Sequence, residues 1–171
     1  MKKLLLLLFA VLAAVPFSAH AQTAVYAQFS ASDFHKPNIG WQYGPTFGLY
    51  YDHWGVPFLR AGVDLRASFL GSGSTVEDVG LIGPRVQLHP HVVPLMPYAE
   101  VLGGVAHVQI GQGSAQINGN EFAYQALAGL DLTIFPRLDW RVAEYSWGGV
   151  QSLNQSFNPT TISTGLVLRL P

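Results

Sequence analysis

The side chains able to do chemistry in this chain are few, and most of them are charges set into alternating apolar segments. They are Arg60, Asp64, Arg66, Arg85, Glu100, Asp131, Arg141, Glu144 and Arg169. Outside that set, His89-Pro90-His91 is a His-x-His pair. A metal needs further ligands at fixed geometry. None lies near, so the pair reads as turn chemistry and no metal site is expected. Ser68, Ser72, Ser74 and His107 are the parts from which a serine hydrolase would be built. No Gly-x-Ser-x-Gly element accompanies them, and no catalytic residue is assigned. Gly71-Ser72-Gly73 and Gly111-Gln112-Gly113 are too short to cradle a phosphate. The chain has no cysteine, which removes disulfides and thiolate chemistry. No cofactor is implied.

What must position the charges follows from the rest of the chain. Lys2 and Lys3 precede an uncharged apolar run over residues 4–15, and Ala19-His20-Ala21 follows it. A basic start, a short apolar stretch and an A-x-A site in that order are the pattern of a cleavable export signal. The run is too short for a membrane helix, which needs about 20 residues. The expected division is a signal peptide over 1–21 and one domain over 22–171. With no cysteine after the apolar run, a lipoprotein is excluded. Removing Lys2 and Lys3 takes the formal charge from −1 to −3. Nothing suggests nucleic acid as a partner, because that demands a basic face.

The charged fraction is 11%, against about 25% for soluble domains. That is too little charge to cover a water-soluble surface of this size. No stretch after residue 21 is long and apolar enough for a transmembrane helix. Without helices, only a closed barrel satisfies every backbone group in lipid.

Eight strand-like segments are expected, at 23–32, 41–52, 58–70, 79–89, 97–110, 121–134, 138–147 and 160–170. The third is the clearest: Leu59, Ala61, Val63, Leu65, Ala67 and Phe69 alternate with Arg60, Gly62, Asp64, Arg66 and Ser68. The sixth sets Phe122, Tyr124, Ala126, Ala128, Leu130, Leu132 and Ile134 against Ala123, Gln125, Leu127, Gly129, Asp131 and Thr133. In the seventh, Glu144 is out of register with Arg141, which predicts a bulge. The faces of the fifth stay open.

Alternation alone does not say which face meets solvent. Trp41, Tyr43, Tyr51, Trp54, Phe58, Tyr98, Phe135, Tyr145 and Trp147 sit near segment ends, as in the aromatic girdles of membrane barrels. The connections also alternate: 33–40, 71–78, 111–120 and 148–159 are long, 53–57 and 135–137 are short, and 90–96 is intermediate. Short periplasmic turns and longer external loops give that order.

On these residues the chain resembles the small outer-membrane β-barrels, the class of the OmpA transmembrane domain and OmpX. Ser163, Gly165, Leu168 and Leu170 match the polar, glycine and hydrophobic positions of the C-terminal signal read by the barrel-assembly machinery; Leu170-Pro171 stands where the family usually ends on Phe. The resemblance implies an all-β, eight-stranded antiparallel transmembrane up-and-down barrel, located in the outer membrane. Its implied partners are outer-membrane lipid, lipopolysaccharide and the assembly machinery, with a monomer as the working form. The charged residues then point inward as a paired network that fills the lumen and fixes register; a conduction path or proton relay is the functional alternative. The expected role is structural or surface-interacting and not enzymatic. A lipid A-modifying enzyme on the same scaffold, or a soluble periplasmic lipocalin-like ligand-binding barrel, are the competing readings. The deacylases of that architecture carry a His-x-Ser element, and this chain has none.

Overall fold

The computed structural model describes residues 22–35, 40–56, 58–73, 75–90, 93–110, 117–151 and 156–170. The leader assigned to 1–21, and with it His91, Ser74 and Pro171, lies outside the described residues. Seven long strands follow in order: β1 (Gln22–Asp33), β2 (Gln42–Val56), β3 (Leu59–Ser72), β4 (Thr75–Leu88), β5 (Leu95–Ile110), β6 (Ile117–Phe135) and β7 (Leu138–Gln151). A two-residue strand, β8 (Ser156–Phe157), folds back on the end of β7, and β9 (Thr160–Arg169) completes the chain. Each long strand pairs antiparallel with the next, and β9 pairs with both β7 and β1. The eight long strands therefore close an up-and-down barrel. Closure removes the unpaired edges an open sheet would leave.

The period-two pattern sorts the side chains across the wall. On β3, Asp64 and Arg66 are buried inside while Val63, Leu65 and Phe69 face outward, Leu65 with 46% of its surface exposed. The β5 faces resolve with Met96, Tyr98, Glu100, Leu102 and Ala106 inside and Val101 and Val105 outside. Trp41, Tyr43, Tyr51, Phe58, Phe135, Tyr145 and Trp147 are all exposed outward. Tyr98 is not part of that girdle: it is buried in the lumen, because it shares strand parity with Glu100.

The ladder shifts register in β7 between Arg141 and Glu144, so both residues point inward although they are three apart. That is the signature of an inserted residue. A second irregularity, between Asp52 and Trp54 of β2, has no counterpart in the sequence reading.

Connection lengths depart from the expected alternation. Residues 71–78 do not form a long loop. Gly71 pairs with Val76 and Ser72 with Thr75, leaving only 73–74 to turn the chain. Gly73 sits there at φ 61°, a left-handed conformation that costs glycine little. The strands persist because 75–79 keep alternating: Glu77 and Val79 point in and Val76 points out. Likewise Ile110 pairs with Ile117, so the 111–120 connection shrinks to 111–116, outside the described residues. The 89–94 connection at the opposite end is longer than the 73–74 turn. Gln22 and Leu170 lie at that opposite end, called here the terminal end. The other is the loop end.

Candidate functional site: a charge network across the lumen

Three arginines hold the middle of the barrel. Arg66 comes from β3, Arg85 from β4 and Arg141 from β7, and all are buried. Arg66 is within 3.5 Å of Asp64, 3.0 Å of Glu100 and 2.8 Å of Glu144. Arg85 pairs closely with Glu100 and reaches Asp131 at 3.5 Å and Asp52 at 3.8 Å. Arg141 engages Asp131 through two nitrogens at 2.9 and 3.2 Å, and Glu144 at 3.4 Å. Because β3 and β7 lie on opposite sides of an eight-stranded ring, the Arg66–Glu144 bond spans the lumen. An eight-stranded barrel is just wide enough for side chains to fill it. These side chains do so as a plug.

Tyrosines complete the plug. Tyr26 donates its hydroxyl hydrogen to Asp64 at 2.8 Å, and Tyr98 donates to Glu144 at 2.6 Å. Arg85 lies between the rings of Tyr50 and Tyr98, 4.0 and 4.2 Å from their centroids. Arg141 sits 4.4 Å from the rings of Tyr26 and Tyr98. A desolvated cation over an aromatic face gains about 2 kcal/mol or more. The rings fit because the strands offer glycine beside them. A Cβ on Gly48 would stand 2.4 Å from the Tyr26 ring, and one on Gly129 would stand 2.4 Å from the Tyr98 ring.

Of the residues singled out from the sequence, the structure brings Asp64, Arg66, Arg85, Glu100, Asp131, Arg141 and Glu144 together in this cluster. Arg60 and Arg169 stand apart from it at the terminal end. Arg60 donates to Gln22, and Arg169 pairs with Asp139 at 2.8 Å. Thr133 also donates to Asp139 at 2.8 Å. Sequence reasoning missed Asp52 and Asp139 as network members, and the role of Tyr26, Tyr50 and Tyr98 as walls for the arginines. Parity was the available signal: Asp139 is two residues from Arg141, and Asp52 two from Tyr50.

The C-terminal motif residues divide between the two faces. Ser163 is buried, 2.9 Å from Ser30. Leu168 and Leu170 are exposed outward. Gly165 lies against β1 so closely that a Cβ would stand 2.1 Å from the carbonyl oxygen of Ala27. Gly165→Ala is therefore expected to destabilise the folded barrel by about 1–3 kcal/mol through backbone displacement. The check is a urea titration of protein refolded in detergent with no assembly machinery present. An unchanged midpoint there would show that the close approach of β9 to β1 at Gly165 tolerates a methyl group.

Among the described residues, the serine and histidine candidates are not assembled into a site. Ser68 accepts a hydrogen bond from Thr46 at 2.9 Å inside the barrel, whereas His107 lies on the outer side, its Nδ1 2.8 Å from the Asn120 carbonyl oxygen. Among the described residues no cluster of three or more His, Asp or Glu is suited to a metal ion.

No family model matches the chain, and no curated protein matches it by sequence. Solved structures do match its fold. Neisserial surface protein A aligns with a TM-score of 0.57 at 15% identity, over 88% of this chain and 97% of that one. Ail, the attachment invasion locus protein of Yersinia pestis, aligns at 0.55 and 10% identity over 88% and 97%. A de novo designed transmembrane β-barrel aligns at 0.55 and 13% identity over 91% and 100%. The fold is thus that of the small eight-stranded outer-membrane barrels.

Proposed function

We propose that this chain is a non-enzymatic protein of the bacterial outer membrane, exported by the leader over 1–21. It is inserted by the barrel-assembly machinery, with Ser163, Gly165, Leu168 and Leu170 as the recognised strand. It works as a monomer, surrounded by lipid and lipopolysaccharide, with the terminal end in the periplasm. Its role is structural or surface-interacting, exerted through the loop end. The observation that carries this is the inversion of the usual protein plan. The outer wall is apolar (Val63, Leu65, Ile82, Val101, Val105 and Leu166 all exposed), and the acids and arginines of the plug meet across the lumen. The soluble lipocalin-like alternative requires the reverse, an apolar lumen and a charged exterior. Against the enzymatic alternative, Ser68 and His107 stand on opposite sides of the wall among the described residues. A designed barrel shares the architecture, so the fold alone does not define the role.

Fractionation and gel mobility test the reading together. The protein is expected in the outer-membrane fraction. Unboiled, it should migrate differently from the boiled sample, because a closed ladder resists detergent. Recovery in a soluble periplasmic pool without that mobility shift would overturn the proposal.

A further inference from the structure

The loop-end half of the lumen is a second compartment, unlike the plug below it. One wall is hydroxyl: Ser30 lies 2.8 Å from Thr46, Thr46 donates to Ser68 at 2.9 Å, and Thr161 donates to Ser32 at 3.0 Å. The facing wall is apolar, built from Leu81, Leu102, Ala106, Ala123, Leu127 and Val150. Between them lies a cavity of about 30 Å³, lined by Ser68, Thr161, Leu81, Ala123, Val150 and Glu77 among others. That volume holds roughly two water-sized groups.

Glu77 is the anomaly in it. The side chain is 3% exposed, and its Oε2 makes no hydrogen bond. Every other acid buried in the lumen reaches an arginine: Asp52, Glu100 and Asp131 reach Arg85, Asp64 and Glu144 reach Arg66, and Asp139 reaches Arg169. Glu77 forms no ion pair among the described residues. The nearest charge in sequence is another acid, Asp78. A buried carboxylate left alone is strongly disfavoured: it either takes up a proton or is matched by a counter-charge.

We propose that Glu77 and its cavity bind a small primary ammonium ion, no larger than methylammonium. A single carboxylate balances a single positive charge. An –NH₃⁺ group brings three donors, which suit the carboxylate and the hydroxyl oxygens of Ser68 and Thr161. The apolar wall takes a methyl group. A divalent cation such as calcium needs six to eight oxygen ligands, which this chamber does not supply. The small volume of the cavity sets the size limit. Its lining side chains Leu81, Ala123 and Val150 belong to a buried apolar cluster that also holds Phe34.

The test is calorimetric titration of the full refolded barrel in detergent with methylammonium chloride, using sodium chloride as the ionic control. The wild-type protein should show saturable binding at one site. Glu77→Gln should weaken it at least about tenfold, the scale of one lost charge-assisted hydrogen bond. Ala123→Leu keeps the carboxylate but fills the cavity, and should abolish binding too. Tetramethylammonium, too large for the cavity, should not bind, and its binding to the wild-type protein would overturn the size limit. Gel mobility verifies that each variant is folded, and the Ala123 variant decides the matter if Glu77→Gln does not fold. No saturable heat with the wild-type protein, or equal binding by a folded Glu77→Gln or Ala123→Leu variant, overturns the site.

Discussion

Arg141→Ala is expected to cost about 3–5 kcal/mol of stability, the usual consequence of removing one partner from a buried ion pair. The arginine makes two bonds to Asp131, a third to Glu144, and lies against the Tyr26 and Tyr98 rings. Its loss strands Asp131 with only the longer 3.5 Å contact to Arg85. The penalty comes chiefly from the charge left behind. Removing both members, in Asp131→Leu with Arg141→Met, should therefore cost much less than the two single changes added together. Glu144 keeps Arg66, and Arg85 keeps Glu100. The coupling expected from such a cycle is about 0.5–3 kcal/mol. Guanidinium titrations of the refolded barrel in detergent measure it. Strict additivity would show that the plug is a set of separate contacts and not one network.

The second large effect concerns the outer wall. Leu65 lies mid-strand on β3, facing out between Leu49 of β2 and Ile82 of β4. If that wall meets hydrocarbon, Leu65→Arg should destabilise the protein in lipid vesicles by roughly 2–4 kcal/mol, and Phe58→Arg, at the end of the wall, by only about 0–1 kcal/mol. The depth dependence is the diagnostic feature. In a water-exposed barrel both substitutions replace a solvated apolar group by a solvated charge, and neither would weaken folding appreciably. Reversible unfolding in vesicles, with both variants side by side, separates the two cases.

How much of this was legible in the sequence varies strand by strand, for a physical reason. A lumen-facing residue can be told from a lipid-facing one only when it is polar. Strand β3 sets Arg60, Asp64 and Arg66 against Val63 and Leu65, so its faces are plain. Strand β5 sets Met96, Leu102 and Ala106 inside and Val101 and Val105 outside, so its alternation carries almost no contrast. The apolar chamber at the loop end exists because of those inward apolar residues, and it blurred the very pattern that would have revealed it. Tyr98 stands near a segment end, where an interfacial aromatic is expected; a ring stacked on arginine and one anchored at a membrane surface use the same residue type. Glu77 lies in the stretch 71–78, where Gly71, Gly73 and two serines favour a turn. The ladder instead runs on to Ser72 and Thr75, and carries the carboxylate into the barrel.

The extra residue in β7 has a consequence for heredity as much as for shape. Arg141 and Glu144, three apart, share the lumen because the strand carries one residue more than its partner β9 between them. Loss of a single codon at Val142 or Ala143 would leave the reading frame intact and simply take out the bulge. Arg141 and Glu144 would then stand two apart in a regular strand and still share the lumen. Loss of Tyr145 has no spare residue to draw on: Ser146 would turn to the outer wall and Trp147 to the interior. A lineage could therefore shorten this strand at the bulge far more freely than beside it.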